Sequence, residues 1–428
     1  MQTFDLTIEK IVHGGLGLGQ VEGKRVLVPL VAPGERVRVI PTEEHRRYMK
    51  ARLLKILEPH PKRREAPCPY FGACGGCDFQ HLPHEEQLAI KKGMVVDAFR
   101  RIGKLDVEGI VEEPGSVCPE FRYRNRIRLS YAPGELVGLV RRGSNQVIGI
   151  DACLLMPEAW NKAALPWLKT LPAADKASFR IDTDGRMIAS LMGHTGARNR
   201  VMKRMSALGK GEAPFPGALG VLFNAKPIKG TAEFEVNLAG HRFRVHATSF
   251  FQVNYAGAEK LVEVVGRIAG ESSGGTLIDL HAGVGTLSIA LAGEFERVVG
   301  VEIARSAVRD FKNNIELNEV SNVDLVEGPA EEMLPGIIAG LPPGAPVTVL
   351  ADPPRTGIAD KAVPLLTDLR PQRIIYVSCD PATLARDVAR LGENGYTLRS
   401  LEIVDLFPQT AHVECVAALE QELSKDSP

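Results

Sequence analysis

From about residue 276 onward, short apolar runs alternate with amphipathic stretches, and that alternation admits few folds. The runs fall near 276–280, 297–301, 323–327, 346–351, 373–378, 398–404 and 412–419, joined by short Gly- or Pro-rich connections. Strands spaced by helical segments build a doubly wound parallel α/β sheet, because each crossover must pack back across a face. Ligands of such sheets gather at the carboxyl ends of the strands. The polar residues that end these runs therefore carry the most information. Ile278-Asp279-Leu280-His281-Ala282-Gly283-Val284-Gly285 enters a Gly turn, Glu302 closes the run Arg297-Val298-Val299-Gly300-Val301, Asp352 opens Asp352-Pro353-Pro354-Arg355, and Cys379 stands in Ser378-Cys379-Asp380-Pro381.

Two regions precede this one. Residues 1–61 alternate apolar and polar side chains in Phe4-Asp5-Leu6-Thr7-Ile8, Arg25-Val26-Leu27-Val28-Pro29 and Arg36-Val37-Arg38-Val39, separated by Gly14-Gly15, Glu22-Gly23 and Pro33-Gly34. That pattern predicts hairpins of a small antiparallel barrel of the oligonucleotide-binding type. The basic run His45-Arg46-Arg47-Tyr48-Met49-Lys50-Ala51-Arg52 contains an aromatic, as stacking and phosphate neutralisation by a nucleic-acid binder require.

Residues 62–245 form a central region that opens on a cysteine cluster. A helix is expected over 84–103 from the spacing of Leu88, Val95, Phe99 and Ile102, and the segment 84–117 is expected to pack on the third region, 246–428. In Phe121-Arg122-Tyr123-Arg124-Asn125-Arg126-Ile127-Arg128-Leu129 a strand's period of two sets four guanidiniums on one face. Like charges in a row repel, so phosphate contact through Arg122, Arg124 and Arg126 is the expectation.

The chain has 428 residues with 52 basic and 52 acidic side chains, so any polyanion must be met by local patches and not by a global field. No apolar run reaches the roughly 20 residues of a membrane span, and the first residues lack the basic and apolar blocks of a secretion signal. A cytoplasmic protein without a membrane partner is expected, and nothing in the sequence demands more than a monomer. The tail 424–428 reads as frayed.

Seven cysteines in a reducing compartment point to metal binding or catalysis rather than disulfides. Cys68, Cys74 and Cys77 lie in one loop whose Gly75-Gly76 allows a tight fold around an ion or cluster. An all-thiolate site needs a fourth sulfur, and Cys118 and Cys153 are the candidates; zinc and an iron–sulfur cluster both remain open from spacing alone. The CxxxxxCxxC spacing differs from the CxxxCxxC of radical enzymes that cleave S-adenosylmethionine, so a structural role is expected.

Around the Gly turn, Glu302 stands about twenty residues downstream, where a carboxylate accepts both ribose hydroxyls. The Gly loop is short and lacks the third Gly that lets a pyrophosphate approach a helix, which favours S-adenosylmethionine over a dinucleotide.

Taken together these segments resemble the RNA uracil-5 methyltransferase family, most closely its cluster-containing bacterial 23S ribosomal RNA branch. The resemblance is carried by Ser249-Phe250-Phe251-Gln252-Val253-Asn254, Asp352-Pro353-Pro354-Arg355, Ser378-Cys379-Asp380-Pro381-Ala382-Thr383-Leu384-Ala385-Arg386-Asp387 and His412-Val413-Glu414, and it spans nearly the whole chain. It implies an N-terminal TRAM barrel, a central iron–sulfur α+β domain and a class I, Rossmann-like methyltransferase domain. It also implies a 4Fe-4S cluster on Cys68, Cys74, Cys77 and Cys153. Gln252, His281, Thr286, Glu302 and Asp352 would line the S-adenosylmethionine pocket, and Phe250 would stack in the RNA vacated by the target base. Uracil C5 is a poor nucleophile, so Cys379 would first add to C6, and Glu414 would later remove the C5 proton. The substrate implied is 23S rRNA, with tRNA as the alternative.

Three positions depart from the family pattern. His281 replaces an aromatic Tyr or Phe, Pro329 a polar adenine contact, and Cys415, expected to face the core, the Thr that follows the Glu. Two rival readings stand beside this one. An amino-group methyltransferase shares Asp352-Pro353-Pro354 but needs an aromatic where Arg355 stands, and a non-catalytic RNA-binding or ribosome-assembly factor has no use for Cys379 and Glu414.

Overall fold

The computed structural model describes residues 3–422 apart from 113, 114, 116, 117, 133–135, 172, 173 and 210. The expected tail at 424–428 and part of the 84–117 segment lie outside these. No helix among the described residues is long and apolar enough to cross a membrane.

Phe4–Thr7, Lys10–Val12, Leu16–Val21, Lys24–Pro29, Arg36–Glu44 and Tyr48–Glu58 form one six-stranded sheet. Its alternation buries Val37 and Val39 and exposes Arg36 and Arg38. The sheet curls until Glu9 N donates to Leu18 O, 2.8 Å away. Gly19 allows that closure: a Cβ there would lie 2.6 Å from Thr7 O.

The helix His84–Ala98 continues into a π-type turn, Phe99–Gly103. Leu88, Val95 and Phe99 are buried as the helical spacing predicts, but the wider last turn changes the phase and leaves Ile102 exposed. Val95, Phe99, Val107 and Val111 share a core with Tyr376, Leu384 and Val388, so this segment packs on the catalytic domain.

A seven-stranded sheet follows, with strand order Lys226–Gly230, Ala218–Phe223, Met187–Met192, Lys176–Ile181, Arg126–Ala132, Leu136–Val140 and Val147–Gly149. Its own core centres on Trp160, Trp167, Phe179 and Phe215, whose rings meet edge-on or tilted. The basic strand expected over 121–129 is corrected here. Arg122 adopts a left-handed φ of 61°, and the strand begins only at Arg126. Asn125 N instead donates to Val253 O (2.8 Å), docking this segment on the chain that leads into the catalytic domain.

The hairpin Glu233–Leu238/His241–His246 buries Phe234, Val236, Phe243 and Val245 in one core with Leu261, Val265 and Leu277. The same core also takes Ile188 and Leu222 from the preceding sheet, so the hairpin bridges the two regions. The catalytic sheet contains β1 (Thr276–Asp279), β2 (Arg297–Glu302), β3 (Val323–Glu327), β4 (Val347–Ala351), β5 (Arg373–Ser378), β6 (Tyr396–Val404) and β7 (Glu414–Gln421), in the order β3-β2-β1-β4-β5-β7-β6. Only β7 is antiparallel to its neighbours. It starts two residues later than the apolar pattern suggests, because residues 405–412 form a buried, hydrogen-bonded loop and not a strand.

Candidate active site

The end of β1, the turn after it and the end of β4 enclose a crevice lined by Phe250, Gln252, Asp279, His281, Thr286 and Asp352. Gly285 has φ 86°, and a Cβ there would lie 2.2 Å from the Phe311 ring, so only glycine lets this turn lie flat on the sheet. At the end of β2, Glu302 Oε2 accepts from Gly283 N (2.9 Å) and Oε1 from Ile303 N and Ala304 N (2.8 and 2.6 Å).

Two polar atoms in this crevice are buried without a partner, Asp279 Oδ1 and His281 Nδ1. Asp279 Oδ2 accepts from Ser288 Oγ at 2.6 Å. A buried acceptor left bare costs about 1–3 kcal/mol, so a ligand with complementary donors belongs there. Burial pushes Asp279 up to about 6 and lowers His281, which keeps the imidazole neutral. The crevice thus suits the amine and hydroxyl donors of S-adenosylmethionine. Asp279 was quoted in the sequence only as part of the strand; its place as the last residue of β1 was the available signal. Phe250 stands 60% exposed at the rim, where a stacking role needs it and core packing does not.

A second cavity, about 100 Å³, opens beside Cys379 and is lined also by His13, Asp78, Arg355, Ala411 and His412. Cys379 follows β5, and Asp380 caps the next helix, Pro381–Gly392, by accepting from Ala382 N and Thr383 N (2.9 and 3.1 Å). Burial and the neighbouring Glu414 carboxylate push the thiol above its usual value, against a smaller lowering by the Arg355 guanidinium. Glu414, the first residue of β7, is fully enclosed; burial and then Asp352 raise it well above a normal carboxyl, while Arg355 opposes. Asp352 is itself pushed up to about 7 by burial and by Asp279. Cys415 points the other way, into the core with Ala417 and Leu419.

Arg355 is a residue whose role the sequence did not reveal. Its loop is fastened from the helix after Cys379: Thr383 Oγ1 donates to Arg355 O (3.1 Å), Arg386 Nη2 to Thr356 O (2.9 Å), and Ile358 N to Asp387 Oδ2 (3.0 Å). The motif around Cys379 therefore also sets the position of the guanidinium that faces it.

Cys68, Cys74, Cys77 and Cys153 line a single cavity of about 310 Å³ beneath the seven-stranded sheet. Cys118 is not among them; it lies buried against Asp405 O and Asn254 Nδ2, 3.2 Å from each. Burial raises Cys74 and Cys153 and takes Cys77 to about 12, with the other thiols adding to the rise at Cys77. Among the described residues no three Cys, His, Asp or Glu side chains converge tightly enough for a single ion. Arg124, Arg126 and Arg128 line the same cavity, and burial lowers Arg126 to about 10. Arg124 and Arg126 are thus half-buried beside the thiols, while Arg128 is exposed. Arg122 remains exposed and pairs with Glu158 at 2.7 Å.

A seven-stranded α/β sheet with a crevice at the ends of β1 and β4, which Glu302 does not line, and a thiol at the end of β5 defines a methyltransferase-type catalytic domain. Residues 229–340 and 344–422 match the model of the tRNA (uracil-5-)-methyltransferase family, and residues 4–61 that of a tRNA (uracil(54)-C(5))-methyltransferase TRAM domain. The chain is 32% identical to an uncharacterized RNA methyltransferase of Listeria monocytogenes, over 98% of this chain and 97% of that protein. It is 33% identical to one of Aquifex aeolicus, over 97% and 98%. The tRNA (uracil-54, C5)-methyltransferase of Pyrococcus abyssi, solved with S-adenosyl-L-homocysteine, shares the fold at a TM-score of 0.73 and 24% identity, covering 97% of this chain and 100% of that one. The chain belongs to the RNA uracil-5-methyltransferase family with an N-terminal TRAM domain. Its activity class is therefore S-adenosylmethionine-dependent methylation of uracil C5 in RNA.

Proposed function

We propose that the protein methylates C5 of one uridine in 23S rRNA through a covalent adduct between Cys379 and C6, resolved by Glu414. The observation that carries this reading is the pairing of β5 with β7, Ser378 opposite Cys415, which sets the half-buried Cys379 thiol and the buried Glu414 carboxyl at the ends of adjacent strands, with the Arg355 guanidinium acting on both. S-adenosylmethionine supplies the electrophilic methyl group. Cys379 Sγ bonds to C6, the ring π electrons move toward C5 and O4, and C5 becomes nucleophilic enough to take the methyl group. Glu414 then accepts the C5 proton, and the returning electron pair expels the thiolate. Arg355 favours the ionised forms of both groups, consistent with its lowering of each. Asp352 and Gln252 would read polar edges of the uracil, and Glu302 would hold the ribose of the cofactor.

A base stacked in a duplex cannot reach this cavity, so the target must swing out, and exposed Phe250 is suited to fill its place. The choice of 23S rRNA over tRNA is supported by the cysteine loop, by family resemblance, whereas the TRAM match is to a tRNA enzyme. The P. abyssi neighbour acts on tRNA, and mapping 5-methyluridine in total RNA from cells with and without the gene separates the two.

Cys379 and Glu414 are both held protonated by their surroundings, and both must lose a proton to act. The kcat/KM for RNA methylation should therefore rise with pH through neutrality, about tenfold per unit while the thiol is mostly protonated, and level off only above the usual cysteine value of roughly 8.5. A pH–rate profile that is flat above pH 7 contradicts this ordering of protonation states.

The four cavity thiols suit a 4Fe-4S cluster: they surround a space larger than one ion requires, and their mutual repulsion calls for a cation to stabilise the thiolates. Such a group would cross-link residues 68–77 to the loop that follows the sheet's edge strand, at Cys153. Anaerobically purified protein is expected to be brown with roughly four irons per chain, to lose them on Cys153→Ala and to keep them on Cys118→Ala. A colourless protein holding one zinc overturns the assignment.

A further inference from the structure

We propose that Asp78, the residue after the third clustered cysteine, is a positioning residue that ties the cysteine loop to the segment delivering Glu414. The inference rests on the reading of Glu414 as the base. Residues 405–412 run between β6 and β7, so whatever holds them sets the entry of Glu414 into its cavity. Asp78 Oδ2 accepts from Ala411 N at 2.9 Å, three residues before Glu414. Asp78 N and Phe79 N both donate to Gln409 O, at 2.8 and 3.1 Å.

The other end of the link is equally specific. Asp78 Oδ1 accepts from Arg142 Nη1 at 2.8 Å, and Arg142 Nη2 donates to Cys77 O. The Arg142 main-chain N donates to Ala73 O (2.9 Å), inside the cysteine loop. Both carboxylate oxygens of Asp78 are thus occupied by the chain itself, which makes it a positioning group and not a catalytic one, although it borders the Cys379 cavity.

The segment it holds needs holding. Gln409 is fully buried with φ 69°, a left-handed conformation unfavourable for a residue with a Cβ. It is kept there by Gln87, whose side chain exchanges two hydrogen bonds with it (2.8 and 3.0 Å). Gln409 Nε2 also donates to Glu120 (2.9 Å) and Thr410 bonds back to Phe407 O, and Asp78 is the group from outside the segment that holds Ala411 N. Cys379, by contrast, is set by β5 and the Asp380 cap, neither of which touches Asp78. Losing the Asp78 carboxylate should therefore disturb the Glu414-dependent step and spare the Cys379-dependent one.

The experiment compares full-length wild type, Asp78→Ala and Asp78→Asn, the last retaining an acceptor for Ala411 N. Trapping with 5-fluorouridine RNA and S-adenosylmethionine reads the addition step. Persistence of the adduct on ordinary uridine RNA in single turnover reads its breakdown. Asp78→Ala is expected to trap at close to the wild-type rate but to release product roughly tenfold or more slowly, the effect of losing one charged hydrogen bond, with Asp78→Asn recovering most of it. Hydrogen exchange should quicken over 407–412 and stay unchanged over 373–378. Equal loss of trapping and release, or unaltered exchange over 407–412, overturns the proposal. If wild type itself traps nothing, the adduct reading fails, and the exchange comparison alone decides the coupling.

Discussion

Cys379→Ala is expected to lower methylation of uridine RNA by on the order of 10⁴-fold or more, because no other group beside the ring can create the electron density that C5 lacks. The change removes one half-buried sulfur next to a cavity, so folding and S-adenosylmethionine binding should persist. Loss of activity with retained cofactor affinity, measured on one preparation, separates chemistry from collapse. The same variant should form no denaturant-resistant complex with 5-fluorouridine RNA, in which fluorine replaces the proton that must leave. Activity surviving within tenfold of wild type would remove the covalent route and revive the amino-group methyltransferase reading, which needs no thiol. Methylation absent from the wild type on both deproteinised ribosomal RNA and tRNA would instead favour a non-catalytic RNA-binding factor.

Glu414→Gln should have the second largest effect and a different signature. Gln has nearly the shape of the protonated acid that the surroundings favour, so the cavity keeps its packing while losing the ability to accept a proton. Turnover is expected to fall by roughly 10²- to 10⁴-fold, the usual contribution of a positioned general base. Addition and methyl transfer precede proton removal, so a methylated, protein-linked RNA should accumulate on a denaturing gel with ordinary uridine. Its absence, together with full loss of turnover, would move Glu414 from proton removal to an earlier step.

The order of the two steps also explains the division of labour among the buried acids. Burial raises all three, Asp279, Asp352 and Glu414; Glu302 adds to the rise at Asp279, Asp279 to that at Asp352, and Asp352 to that at Glu414. Three carboxylates so placed cannot all be ionised at neutral pH.

What the sequence determined by itself is local. Period and apolar run length are properties of neighbouring residues, so they place the strands of the catalytic sheet to within a residue or two and put Glu302, Asp352 and Cys379 at strand ends. What lies opposite a side chain is not a local property. The period that correctly alternated Tyr123, Ile127 and Leu129 inward said nothing of the cysteine cavity that receives Arg124 and Arg126. Spacing leaves Cys118 and Cys153 both open, the family resemblance implies Cys153, and the fold sets Cys153 and not Cys118 on one cavity with the other three thiols. Only the tertiary structure buries Lys91 against Asp405, 314 residues away, and joins Asp78 to Ala411 across 333 residues. Those contacts form because burying a charge or a backbone N–H without a partner is costly, and the partner is supplied by whichever segment the fold brings near.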